Sequence, residues 1–181
     1  MPPAPRRGET ELVGYEVYLL AVPPGADVEE TGEALLVRLA RGHERTRLTD
    51  AGRARAEGVA ARMTAKAPDL AVAAPGTLDL AGTVELRSAS GLVVAIADRF
   101  ARFLVPFAHH GEAATAAFRQ LFDLLAVAAE ATGWRPYDPQ EGESIVLDEA
   151  SCDAVLEIYL SVMDQLRPAP FADGTAGAVP A

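Results

Sequence analysis

Three runs rich in β-forming residues follow one another between residues 82 and 107: Gly82 to Arg87, Leu92 to Ala97 and Arg102 to Phe107. The breaks between them, Ser88-Ala89-Ser90-Gly91 and Asp98-Arg99, are of hairpin length. Such short connections join neighbouring strands antiparallel, so the centre of the chain reads as a meander. Whatever flanks it must pack on a sheet of that kind.

The flanks supply three more strands and four helices. Gly14 to Val22 is a strand of mixed β-formers, stopped by Pro23-Pro24-Gly25. Asp27 with Glu30 outlines a capping box, and Val28, Leu35, Leu36 and Leu39 recur at helical spacing, which predicts a helix over 28–40. Leu48-Thr49 opens a second helix, to about Ala65, with Thr49 as N-cap. Its apolar positions are mostly alanine plus Val59 and Met63, which reads as a weakly hydrophobic, surface-lying helix. The strongest helix pattern runs from Gly111 to Ala131, where Ala114, Phe118, Leu121, Phe122, Leu125 and Ala128 make one stripe and Gly133 stands ready as the C-terminal cap. The segment from Trp134 and the run Ser144 to Leu147 suggest a last hairpin. A final helix is expected from Ser151 to Leu166, with Val155, Leu156, Tyr159, Leu160 and Met163 facing the core.

The order β-α-α-β-β-β-α-β-β-α predicts an α+β domain, a mostly antiparallel sheet with helices packed on one face. The expected organisation is a loose arm over 1–12, a single domain over 13–167 and a disordered tail of Pro, Ala and Gly over 168–181. Arg102 to Phe107 is a candidate exposed sheet edge, with Pro106 blunting it.

At 181 residues, half of them hydrophobic, the chain can bury a full core. A formal net charge of −10 argues against nucleic-acid binding, which needs clustered Lys and Arg, and points to a basic protein as the partner if there is one. No stretch approaches the roughly 20 apolar residues of a membrane span. A soluble, cytoplasmic protein with no membrane partner is the expectation. The lone Cys152 excludes an intramolecular disulfide.

Residues that could carry chemistry are few. The histidines are His43, His109 and His110. No HExxH or CxxC pattern accompanies them, so no metal site is expected. His109 or His110 could serve a hydrolase as a base, with Glu112, Glu16 or Asp138 as the orienting acid. Cys152 in the first turn of the last helix is a candidate nucleophile, and an inward-turned structural residue otherwise. The carboxylate pairs Glu29-Glu30, Glu141 with Glu143, and Asp148-Glu149 read as solvated or capping groups, Asp148-Glu149 at a helix start. Arg41 to Arg47 is the most basic patch. No glycine-rich phosphate loop follows a strand, and no cofactor is expected.

Two resemblances bear on function. Arg6-Arg7-Gly8-Glu9-Thr10 is similar to the Arg-His-Gly-Glu-Thr box of histidine phosphatases, Leu48-Thr49-Asp50-Ala51-Gly52 to a helix opening of that family, and His110-Gly111-Glu112 faintly to its second histidine box. The nucleophile position holds Arg7, and a guanidinium cannot form a phosphoenzyme. The box also precedes a strand instead of following one, and the phosphatase reading is set aside. Trp134-x-x-Tyr137-Asp138-Pro139-Gln140 resembles a segment of uncharacterised bacterial α+β proteins of this size. Small acidic proteins of this general style include immunity proteins, so the resemblance implies a non-catalytic, protein-binding role, immunity-type or regulatory. The residues themselves allow two roles. Asp138 before Pro139 favours a turn that its carboxylate would cap, with Trp134 and Tyr137 as anchors. Exposed, Trp134, Tyr137, Asp138 and Gln140 would form a protein interface. A pocket for a small ligand between sheet and helices is the third expectation.

Overall fold

The computed structural model describes residues 14–42, 48–73 and 82–166. The expected arm at 1–12 with its Arg6–Thr10 box, His43 and the loop to Arg47, and the expected tail at 168–181 lie outside the described residues.

The elements are β1 (Gly14–Leu20), α1 (Val28–Ala40), α2 (Asp50–Lys66), β2 (Ala71–Val72), β3 (Val84–Arg87), β4 (Val93–Ile96), β5 (Phe100–Pro106), α3 (Gly111–Thr132), β6 (Arg135–Asp138), β7 (Glu143–Ser144) and α4 (Glu149–Leu166). Among the described residues seven strands form one antiparallel sheet in the order β2-β3-β4-β5-β1-β6-β7. The molecule is thus α+β, with the meander β3-β4-β5 where the short breaks require it.

Side chains of β1 alternate between two cores. Tyr15, Val17 and Leu19 point to the face that carries α2, α3 and α4, while Tyr18 and Leu20 point to the face that carries α1. Helices on one face therefore describes α2, α3 and α4; among the described residues α1 is the helix on the other. Its approach is close. A Cβ at Gly32 would lie 2.6 Å from the ring of Tyr137, so only glycine lets α1 settle against β6.

The supposed edge at Arg102 to Phe107 is in fact central. β5 pairs with β4 on one side and, over its whole length, with β1 on the other. Phe100, Ala101, Phe103, Leu104 and Val105 are buried, so both faces of this strand are covered, as a central strand requires. The true edges are the two-residue strands β2 and β7, short enough to offer little to pair with.

Helix ends follow local chemistry. Asp27 Oδ1 accepts from the N–H groups of Glu29 and Glu30 at 2.8 and 3.1 Å. Thr49 Oγ1 accepts from Gly52 N–H at 3.0 Å. Gly133, at φ 71°, closes α3 through a bond to the Ala129 carbonyl. Two details depart from expectation. α2 is not merely surface-lying: Ala56, Val59, Ala60 and Met63 join the main core, where small side chains bring the helix near α3. The last hairpin uses Glu143–Ser144 in place of Ser144 to Leu147, because the turn closes through Gly142 N–H to the Asp138 carbonyl and frees the chain to pair immediately afterwards. Residues 145–147 instead lead into α4, whose first turn is capped by Asp148 accepting from Ser151 N–H at 2.8 Å. That bond holds the Asp148 carboxyl below its ordinary pKa.

Candidate functional site

The tryptophan segment is folded into the body of the protein. Trp134, just before β6, and Asp138 within it turn toward the α2–α4 face, and Tyr137 turns toward α1. Trp134 is 8% exposed, Tyr137 1% and Asp138 2%. Gln140 is exposed, and its side chain accepts from Glu16 N–H at 3.3 Å. The Asp138 carboxylate caps its own turn, taking the N–H of Gln140 at 2.8 Å, and its other oxygen accepts the phenol of Tyr15. These contacts are those of an anchor.

From Tyr15 a line of rings crosses the core. Tyr15 meets Phe118 edge-on at 5.7 Å, Phe118 meets Tyr159 at 4.9 Å, and Tyr159 stacks on Phe107 at 5.3 Å. Tyr159, buried in α4, ends the line at the β5–α3 junction. Its hydroxyl accepts from His109 N–H at 3.0 Å and donates to the Pro106 carbonyl at 2.9 Å, with the His109 carbonyl as second acceptor at 3.2 Å. Burial raises the phenol pKa there, and the backbone bonds with His109 work against that rise.

His109, held in this way, forms one wall of a groove of about 670 Å³. The end of α2 and the turn after it contribute Lys66, Ala67, Pro68 and Asp69; the β3–β4 turn contributes Ser90; α3 contributes Ala113, Ala116, Ala117, Gln120, Asp123 and Leu124. Small side chains make the floor. A polar chain crosses it: Ser88 and Ser90 hydroxyls meet at 2.7 Å, Ser90 donates to Gln120 Oε1 at 3.3 Å, and Gln120 Nε2 donates to Asp69 at 2.9 Å. Lys66 and Asp123 form an exposed ion pair at 3.5 Å. His109 Nε2 is buried with no hydrogen-bond partner among the described residues. Native folds rarely leave such an atom unsatisfied.

The other expected chemical residues lie apart from this groove. His110 is the exposed N-cap residue of α3, without a side-chain cap bond, and Glu112 is exposed in the first turn. Glu16 binds Arg102 and accepts from Tyr18, while Asp138 is engaged with Tyr15. Cys152 is buried, and burial together with Asp153 raises its thiol pKa, the opposite of nucleophile activation. Among the described residues no three His, Cys, Asp or Glu side chains gather as a metal-binding group, and no helix is long and apolar enough to cross a membrane.

Of the groove's polar residues only His109 stood out in the sequence. Asp69, Ser90 and Gln120 sit in a turn, a hairpin and a helix that meet only in the fold. The one available signal was the spacing of Ala113, Ala116, Ala117 and Gln120, a small-residue face beside the Phe/Leu stripe of α3.

No family model, curated protein or solved structure matches the chain.

Proposed function

We propose that this protein binds a small ligand in the groove between α2, the β3–β4 turn and α3. The observation that carries the reading is the buried, unpartnered Nε2 of His109 in the wall of a concavity of about 670 Å³. Small-molecule sites are typically apolar hollows of roughly 300–1,000 Å³ with a few fixed polar groups. The alanine floor and the Ser90–Gln120–Asp69 chain fit that description. A cytoplasmic setting, in which the lone Cys152 stays a thiol, belongs to the same reading.

The expected immunity-type or regulatory surface has less support. With Trp134, Tyr137 and Asp138 turned inward, the segment favours anchoring over docking, and of the four expected interface residues Gln140 alone is exposed. Hydrolysis is not part of the proposal, since Glu16 and Asp138 are committed to Arg102 and Tyr15.

The test is a fragment screen by amide NMR on the protein and on Ala116→Trp, which fills the groove from an exposed position. Hits should cluster on the amides of Asp69, Ser90, Ala113 and Gln120 and vanish in the variant. Hits scattered over the surface, or unchanged by Ala116→Trp, would overturn the reading.

A further inference from the structure

We infer that the groove takes a small amphiphile bearing a primary ammonium group, its apolar body on the alanine floor and its charge at Asp69; this rests on the groove being a ligand site. Besides His109, the charged lining residues are one cation, Lys66, and two carboxylates, Asp69 and Asp123. Lys66 already faces Asp123 at 3.5 Å. Among the described residues Asp69 receives the neutral Gln120 amide, which uses one oxygen and brings no positive charge.

The direction of the polar chain points the same way. Ser90 donates to Gln120 and Gln120 donates to Asp69, so the chain spends its donors inside the protein and ends at an acceptor. What the chain leaves open at its end is acceptor capacity on Asp69, and an ammonium supplies three donors with a charge that matches it. An anionic ligand would meet the reverse: among the described residues no arginine lines the groove, and its lysine already faces Asp123. A chain of net charge −10 adds a long-range field of the same sign. Ala113, Ala116, Ala117 and Leu124 offer the apolar body a surface without a polar group to desolvate.

The experiment titrates the full-length protein with n-hexylamine, 1-hexanol and hexanoate, followed by amide NMR. Hexylamine should shift Asp69, Ser90, Ala113 and Gln120 saturably, about tenfold more tightly than hexanol, the increment of one charge-assisted hydrogen bond. Hexanoate should bind more weakly than either. Asp69→Asn, a near-isosteric change at an exposed position, should erase the amine's advantage and leave hexanol unchanged. Equal affinities for amine and alcohol, tightest binding by hexanoate, or an advantage that survives Asp69→Asn would overturn the ammonium inference while the groove reading stands. If no probe shifts the groove amides, the groove reading itself fails and this inference with it.

Discussion

The phenol of Tyr15 donates to the carboxylate of Asp138 across 123 residues of chain. This bond ties the first described strand to the turn that follows β6, and both partners are almost wholly buried. Asp138 also holds the N–H of Gln140, so one carboxylate serves a local turn and a long-range tie together.

Removing the phenol leaves a buried carboxylate short of a donor. Tyr15→Phe should therefore destabilise the fold by about 1–3 kcal/mol, the cost of leaving a buried acceptor without its donor. In a double-mutant cycle the effect should shrink when Asp138→Asn is already present. Urea unfolding followed by the single tryptophan, Trp134, checks this. Additive effects of the two changes would rule out the coupling.

The turn at Asp98 makes a second tie. Its carboxylate accepts from Thr49 N–H at 3.1 Å and from the Thr49 hydroxyl at 3.2 Å, above the first turn of α2. A Cβ at Gly52 would fall 1.4 Å from Asp98 Oδ1, so the side chain would have to swing away and lose those bonds. Gly52→Ala should cost about 1 kcal/mol or more despite alanine's better helix propensity. With Asp98→Ala in place the sign should reverse, and Gly52→Ala should stabilise by a few tenths to about 1 kcal/mol. Thermal unfolding of the four proteins decides it.

Alkaline pH should unfold the protein through its phenols. All four tyrosines, Tyr15, Tyr18, Tyr137 and Tyr159, have raised pKa values, chiefly through burial. Asp138 adds to the shift at Tyr15, Glu16 at Tyr18 and Glu33 at Tyr137. Below the unfolded-chain value of about 10, both states keep the proton and stability is complete. Above it the unfolded chain releases protons that the folded chain retains, so stability falls as pH rises. Tyrosinate absorbance should stay absent past pH ~10 and then appear together with loss of far-UV circular dichroism. Tyrosinate forming near pH 10 with the fold intact would contradict the burial argument.

Local chemistry was legible in the chain, and meetings between distant residues were not. Thr49 as N-cap, Asp138 as a turn cap and Gly133 at the end of α3 each depend on neighbours within a few residues, and each is found as the sequence reads. The position of β5 depends on which strand returns to pair with it. Two covered faces look much like an alternating edge until β1 is known to lie alongside. The groove was harder still. Ser90 and Gln120 are 30 residues apart, and Gln120 and Asp69 are 51 apart. Their types, Ser, Gln and Asp, are common on any surface. Only His109 carries a chemical signal, and the sequence offers Glu112, Glu16 and Asp138 as its acid partners because nothing in one dimension links it to the end of α2.

Tyr159 should govern the groove without lining it. Its hydroxyl fixes the backbone of His109 from α4, and its ring is fixed in turn by Phe107 and Phe118. Tyr159→Phe preserves the ring packing and removes only the hydroxyl, so His109 N–H loses its acceptor. Global stability should fall by about 1 kcal/mol, the net worth of a neutral hydrogen bond. The local effect should be larger than the global one: amide exchange at His109 should accelerate well beyond that of α3 residues such as Leu121, because the junction opens without the core. Hexylamine should also bind more weakly while the Asp69→Asn effect persists, since Asp69 is held by Gln120 and not by Tyr159. Exchange at His109 that rises only in step with Leu121 would mean that the hydroxyl stabilises the fold as a whole and does not position the groove wall.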